Sequence, residues 1–232
     1  MKEAVSLPQR ILQTKLLELH LQLESGNSYT RSLQHKMLDY LNLVGKALIS
    51  VVFITGLSST PVLSSEGDAA LWNSLRSGEH FALLRHAIAP GNGDPPGFKL
   101  GSCRTQRNLS EEGRNQAVKI GKLFRENRIQ TARVFSSQWC RCLETAKLLE
   151  LGQVQALSFL NSFFNNYDYR ESQTQKLAEW LHEQNPGQTL VLVTHQVNIT
   201  ALTNVYPGSG ELVIIRRSKS GEFEVVGTIK TK

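Results

Sequence analysis

The pattern of apolar and polar positions changes character near residue 65. Upstream, residues 47–57 (ALISVVFITGL) form an uncharged apolar run behind Lys46, followed by SSTPVLSSEG with small residues at Val62 and Ser64. Eleven apolar residues are short for a bilayer span and fit the centre of a secretory signal with cleavage after Ser64. An uncleaved anchor and a buried helix of the domain are the competing readings. Met37 stands at the usual distance from such a run for a translation start, whereas Met1 does not. The first stretch, PQRILQTKLLELHLQLES, reads as a weakly amphipathic helix.

From residue 66 onward short apolar runs alternate with helical periodicities, the signature of an α/β domain. The pattern predicts a helix over 68–77, a strand at 80–86 (HFALLRH) and a long loop with Pro90, Gly91, Gly93, Pro95, Pro96 and Gly97. A helix follows from Ser110, a favourable N-cap, to about Asn127, with Ala117, Ile120, Leu123 and Phe124 on one face. Next come a strand at 132–137, a helix at 139–150, a strand near 154–158 and a helix at 172–184. The strand TLVLVTH (189–195), a helix at 198–205 and the strands ELVIIRR and FEVVGTI, a hairpin around Ser220 and Gly221, complete the chain. The domains expected are thus an extension with export signal over 1–64 and one α/β domain over 65–232. Its fold class is a three-layer α/β/α sandwich with a mixed, mainly parallel sheet.

Charge narrows the partners. The chain of 232 residues carries net +6, with six bases and four acids before residue 65 and twenty bases and sixteen acids after it. A basic balance favours acidic partners, but no block of like charges marks a nucleic-acid tail, so no nucleic-acid partner is expected. The three cysteines, Cys103, Cys140 and Cys142, are too few for a disulfide scaffold or a four-ligand zinc site. An exported location permits one bridge from Cys103 to Cys140 or Cys142, and three buried thiols are the alternative.

Three predicted strands end in chemically capable residues. The first runs into Arg85 and His86, the second into Ser136, Ser137 and then Arg141, and the third into Thr194 and His195. Ligands of parallel α/β sheets bind at the carboxyl ends of strands, so the topology brings two arginines and two histidines together. Guanidinium forks match phosphate oxygens with paired charge-assisted bonds. An arginine in the first turn of a helix opposes the helix dipole unless an anion lies there.

These segments resemble the histidine phosphatase (phosphoglycerate mutase-like) superfamily. LLRHAIAPG is similar to its Arg-His-Gly signature, with Ala87 where glycine is usual. SSQWCRCLETA and LVTHQVNI resemble its second arginine motif and its second histidine motif, and RNLSEEGRNQA resembles the helix opening after the first motif. The four stand in the family's order over residues 79–205, and the short RHAxAPG form looks more like small bacterial phosphatases than mutases. The resemblance implies a phosphomonoester hydrolase acting through phosphohistidine, without cofactor or metal, on a small phosphorylated molecule. His86 would be the nucleophile, and Arg85, Arg141 and His195 would hold the phosphoryl oxygens. Asn92, Arg107 and Gln196 are further candidates for substrate contact. The family's acidic residue for leaving-group protonation has no counterpart, since the matching stretch LSFLNSFF offers only Asn161 and Ser162, and Asp94 is the nearest alternative carboxylate. Two other readings stand beside hydrolysis: a phosphate- or polyanion-binding module of the same fold that lacks turnover, and a mutase. A signal implies a periplasmic or secreted protein with no stable membrane partner once the signal is removed. The substrate-determining segments, 88–109 and 159–171, carry no recognisable sugar, nucleotide or lipid signature.

Overall fold

A computed structural model describes residues 63–185 and 187–231. The expected export signal, the helix upstream of it and Met37 lie outside the described residues, and no described helix is long and apolar enough to cross a membrane.

Six strands form one sheet: β1 (His80–Arg85), β2 (Arg133–Ser136), β3 (Val154–Ala156), β4 (Leu190–Thr194), β5 (Leu212–Arg217) and β6 (Phe223–Ile229). Their spatial order is β3-β2-β4-β1-β5-β6. The pairs β2–β3, β2–β4 and β1–β4 are parallel, and β1–β5 and β5–β6 are antiparallel, so the sheet is mixed. Every residue of β4 is buried, which is why its residues 190–193 (LVLV) read as a continuous apolar run rather than an alternation.

Alternate residues of the strands feed two cores. One face presents Ala82, Leu84, Val134, Val191, Val193 and Ile214 to the helices α1 (Leu63–Arg76), α2 (Glu111–Glu126) and α3 (Cys140–Leu148), where Trp72 meets Phe124 edge to face. The other presents Phe81, Leu83, Phe135, Leu190, Leu192 and Val213 to α4 (Arg170–Glu183) and α5 (Gln196–Thr203), through Leu177, Leu181 and Ile199. A period of two on each strand thus commits successive side chains to opposite layers, giving the three-layer α/β/α sandwich.

Element boundaries depart from the sequence pattern in ways that matter for the site. α1 begins at Leu63, ahead of the expected residue 68. β3 ends at Ala156, because the chain turns into a 3₁₀ turn at Ser158–Leu160. α5 begins at Gln196 rather than 198, so that His195 itself occupies the N-cap position. α2 starts as its sequence suggests, with the Ser110 side chain accepting from the Gly113 amide at 3.0 Å. A Cβ at Gly113 would run into the Ile88 carbonyl oxygen, so glycine here lets the helix lie directly against the segment following β1.

Candidate active site

Register fixes the site before any side chain is considered. β1 pairs with β4 up to Arg85 opposite Thr194, and the ladder continues with the His86 amide donating to the Thr194 carbonyl at 3.0 Å. β2 pairs with β4 up to Ser136 opposite Val193, and the Ser137 amide donates to the Val193 carbonyl at 2.9 Å. His86, Ser137 and His195 therefore emerge at one level, at the carboxyl ends of three adjacent strands.

His86 has its tautomer set by a neighbour. Its Nδ1 lies 2.8 Å from the Ala87 carbonyl oxygen. A carbonyl only accepts, so Nδ1 carries the proton and Nε2 keeps its lone pair. Burial pushes the His86 pKa down to about 3; the Ala87 contact works against that shift, and the charges of Arg141, Arg107 and Arg85 add to it. The ring is therefore neutral at physiological pH.

His195 is held from its other side. Its Nε2 lies 2.9 Å from Ser137 Oγ, and Arg141 Nη2 donates toward its Nδ1 at 3.4 Å. Ser137 Oγ donates to Asn161 Oδ1 at 3.2 Å, so it accepts from the imidazole, which makes Nε2 the protonated nitrogen. Burial, then the His86 ring and the three guanidiniums, hold the His195 pKa well below the ordinary histidine range. The two imidazole rings sit 5.5 Å apart between centroids, edge to face. The Cys142 thiol lies 3.5 Å from His195 Nε2 and is pushed up to about 12, chiefly by burial, so it is a neutral packing group.

Three guanidiniums converge on the same space. Arg141, only 2% exposed, is not the solvated first-turn residue that its helix position allows: its Nη1 donates to Asp94 Oδ1 at 2.9 Å. Arg107 donates from Nε to the Gly93 carbonyl at 2.7 Å and from Nη1 to the Ala89 carbonyl, which shapes the loop after β1. Arg85 donates from Nη1 to the Pro207 carbonyl at 2.8 Å. The Nε atoms of Arg85 and Arg141 are buried without a partner. Buried guanidinium donors without acceptors are costly, and an anionic oxygen is the acceptor this cluster lacks.

Asp94 is placed in this cluster in a role that conflicts with acid catalysis. Its carboxylate accepts from Arg141, from the Arg107 amide at 3.0 Å and from Trp139 Nε1 at 2.9 Å. Burial alone raises its pKa, but the bonds from Arg141, Arg107 and Trp139 and the Arg141 charge outweigh it and leave the pKa lowered. A carboxyl that is held ionised has no proton to give, so Asp94 as a leaving-group acid is not supported.

Asn161 is likewise committed elsewhere. Its Oδ1 accepts from Ser137 Oγ and from the Gln138 amide at 2.9 Å, and its Nδ2 donates to Gln138 Oε1 at 2.7 Å. Its backbone carbonyl accepts from Nδ2 of the buried Asn198 at 2.9 Å. Asn92, Gln196 and Ser162 line the cavity. Ser162 is an uncharged hydroxyl whose oxygen accepts from the Phe164 amide.

A cavity of about 390 Å³ joins these groups, bounded by Arg85, His86, Arg107, Arg141 and His195 at its base and by the loops around residues 91–98 and 158–169 above. With both imidazoles neutral, three guanidiniums and one carboxylate leave its lining at net +2, the complement of a phosphoryl dianion. A larger cavity of about 690 Å³, near His80, Arg216 and Lys219 at the other end of the sheet, contains none of the candidate residues. Among the described residues, no cluster of three or more His, Cys, Asp or Glu side chains is placed to hold a metal ion.

Two residues that sequence reasoning undervalued complete the site. Gln106 donates to the carbonyls of Lys99 and Leu100 and accepts from the Cys140 amide at 3.0 Å, and the Cys103–Cys140 disulfide lies beside it. Together they fasten the long loop to the start of α3, one residue before Arg141. Thr145 Oγ1 accepts from the Ala87 amide at 3.1 Å and donates to the Arg141 carbonyl at 2.7 Å, tying the two arginine-bearing motifs together. In the sequence, Thr145 is marked only as part of the segment SSQWCRCLETA.

Residues 81–162 match the sequence model of the Histidine phosphatase superfamily (branch 1). No curated protein matches the chain. Among solved structures, phosphoserine phosphatase from Entamoeba histolytica in complex with 3-phosphoglyceric acid is 18% identical, with 66% of this chain and 98% of that one covered and a TM-score of 0.49. The protein histidine phosphatase SixA complexed with tungstate is 15% identical (66% and 97% covered, TM-score 0.48). A mycobacterial glucosyl-3-phosphoglycerate phosphatase with VO3 is 18% identical (63% and 96% covered, TM-score 0.47). The match over residues 81–162 begins in β1 and takes in His86 and Arg141, so this segment of the chain is similar to the histidine phosphatase superfamily.

Proposed function

We propose that this domain hydrolyses phosphomonoesters through a phosphohistidine formed on His86, without a metal ion. The observation that carries the reading is the His86 Nδ1 contact to the Ala87 carbonyl, which leaves the Nε2 lone pair available for attack beside three guanidiniums. In the first step Nε2 attacks phosphorus, the bond from phosphorus to the ester oxygen breaks, and that oxygen leaves with the electron pair. In the second, water attacks phosphorus, the N–P bond breaks, and Nε2 recovers its lone pair as inorganic phosphate departs. Arg85 and Arg141 neutralise charge on the non-bridging oxygens, an electrostatic contribution of about 3 kcal/mol for a well-placed donor, and His195, whose Nδ1 accepts from Arg141 Nη2, orients that guanidinium. Asn92, Arg107 and Gln196 line the approach for the substrate.

With Asp94 ion-paired and Asn161 and Ser162 uncharged, the leaving oxygen takes its proton from water. That feature favours one competing reading, a phosphate-binding module without turnover. Hydrolysis of p-nitrophenyl phosphate, insensitive to EDTA and abolished in His86→Ala, supports the enzyme. Phosphate binding without hydrolysis supports the module.

A further inference from the structure

We infer that the substrate is a neutral carbohydrate bearing a single phosphate, an inference that rests on the phosphatase reading and assigns the part of the cavity above the phosphoryl site. Charge is the first ground. The net +2 of the lining is matched by one phosphoryl dianion, and no acidic or basic side chain of the lining remains for a second phosphate, a carboxylate or an ammonium. A phosphoamino acid or a phosphoglycerate would bring a further charge that no side chain of the lining is left to pair with.

The chemistry of the upper wall is the second. The side-chain amides of Asn92, Asn165, Asn166 and Gln196 line the cavity and make no hydrogen bond to another described residue. An amide both donates and accepts, which suits hydroxyl groups that do the same. Beside them stand the aromatic faces of Phe164 and Tyr169, 44% and 55% exposed. Aromatic rings next to amides offer an apolar face to the C–H side of a pyranose and polar partners to its edge. These groups come from two loops that meet across the mouth: a Cβ on Gly93, at φ +63°, would lie 3.6 Å from Asn165 Nδ2 and 3.8 Å from Phe164 Cε1. A wall assembled from both loops makes substrate contact depend on their mutual position.

The test separates recognition from chemistry by measuring binding to the full chain carrying His86→Ala, so that esters survive. Calorimetry compares glucose 6-phosphate, glucose 1-phosphate and mannose 6-phosphate with phosphoserine, 3-phosphoglycerate and adenosine monophosphate. At least one sugar phosphate should bind about tenfold more tightly than every charged or nucleotide competitor, the worth of two or three neutral hydrogen bonds. Phe164→Ala with Asn165→Ala should compress that preference to about threefold or less. Competition against p-nitrophenyl phosphate in the unmodified chain repeats the ranking independently of whether the His86 variant folds. Equal or tighter binding of phosphoserine, 3-phosphoglycerate or the nucleotide overturns the inference, as does a preference that survives the double variant. Failure of p-nitrophenyl phosphate hydrolysis with the sugar preference intact instead overturns the phosphatase reading alone.

Discussion

Arg141 Nη1 donates to Asp94 Oδ1 at 2.9 Å, and the two side chains are 2% and 6% exposed. This pair ties the long loop after β1 to the start of α3 and gives one guanidinium of the cavity a counter-charge. Removing one partner of a buried pair strands the other charge, at a cost of about 3–5 kcal/mol. Asp94→Asn should therefore lower stability in urea titrations by about that amount. It also turns the Oδ2 acceptor of Trp139 Nε1 into a competing donor in one rotamer. Inorganic phosphate should restore more stability to Asp94→Asn than to the parent, because the bound dianion supplies the missing counter-charge. Equal phosphate stabilisation of the two proteins contradicts this role.

The buried histidines make stability depend on pH. His86 and His195 are neutral in the folded chain, with pKa values lowered by burial, whereas in the unfolded chain they titrate near the ordinary value. Between about pH 6.5 and the folded value the unfolded chain binds more protons, so stability is lost as pH falls through that window. For His86 the window extends down to about pH 3. Each histidine contributes a slope of up to about 1.4 kcal/mol per pH unit. Urea titrations from pH 7 to 5 should show a shallower fall in His86→Gln than in the parent. An unchanged slope would mean that His86 is not held neutral.

Ser137→Ala removes the acceptor of His195 Nε2–H and leaves only the 3.4 Å contact from Arg141 Nη2 to oppose a shift of the proton to Nδ1. We expect kcat for p-nitrophenyl phosphate to fall by about tenfold to a hundredfold, in line with loss of one orienting bond in an electrostatic site. The ¹⁵N chemical shifts of the His195 ring should show the tautomer change. A lowered rate with unchanged shifts would point to a packing effect instead.

The Cys103–Cys140 bridge closes a separation of 37 residues. Chain entropy assigns such a closure about 4 kcal/mol. Replacing both cysteines by serine should reduce stability toward that figure and raise KM more than it lowers kcat, because the bridge fastens the loop that carries Asn92, Asp94 and Arg107 and does not touch the reacting atoms. A fall confined to kcat would contradict the assignment.

The strands and the residues at their carboxyl ends were legible in the sequence because long-range pairing and short-range pattern agree there: residues 190–193 of β4 (LVLV) are apolar without a break since they are buried on both faces. The groups that orient those residues were not. The Asp94–Arg141 pair spans 47 positions, and nothing local marks Asp94 as a counter-ion rather than an acid. Which cysteine pairs with Cys103 depends on the side of α3 that faces the loop: Cys140 does, whereas Cys142 points into the core beside His195. The pinning of His195 by Ser137 depends on the β2–β4 register, which the individual strand patterns do not specify.

Without a protonated acid among the cavity-lining carboxylates, the first chemical step should be sensitive to the leaving group. Across a series of substituted aryl phosphates, log(kcat/KM) should fall steeply as the phenol pKa rises, with no break. A flat dependence would reveal an acid that this geometry does not contain.

The most direct test of the central claim is to trap the intermediate. After brief mixing with phosphate-labelled substrate and alkaline quench, the label should sit on His86, survive base, be released by mild acid and be absent from His86→Ala. Label on another residue, or undiminished turnover in His86→Ala, would contradict the account.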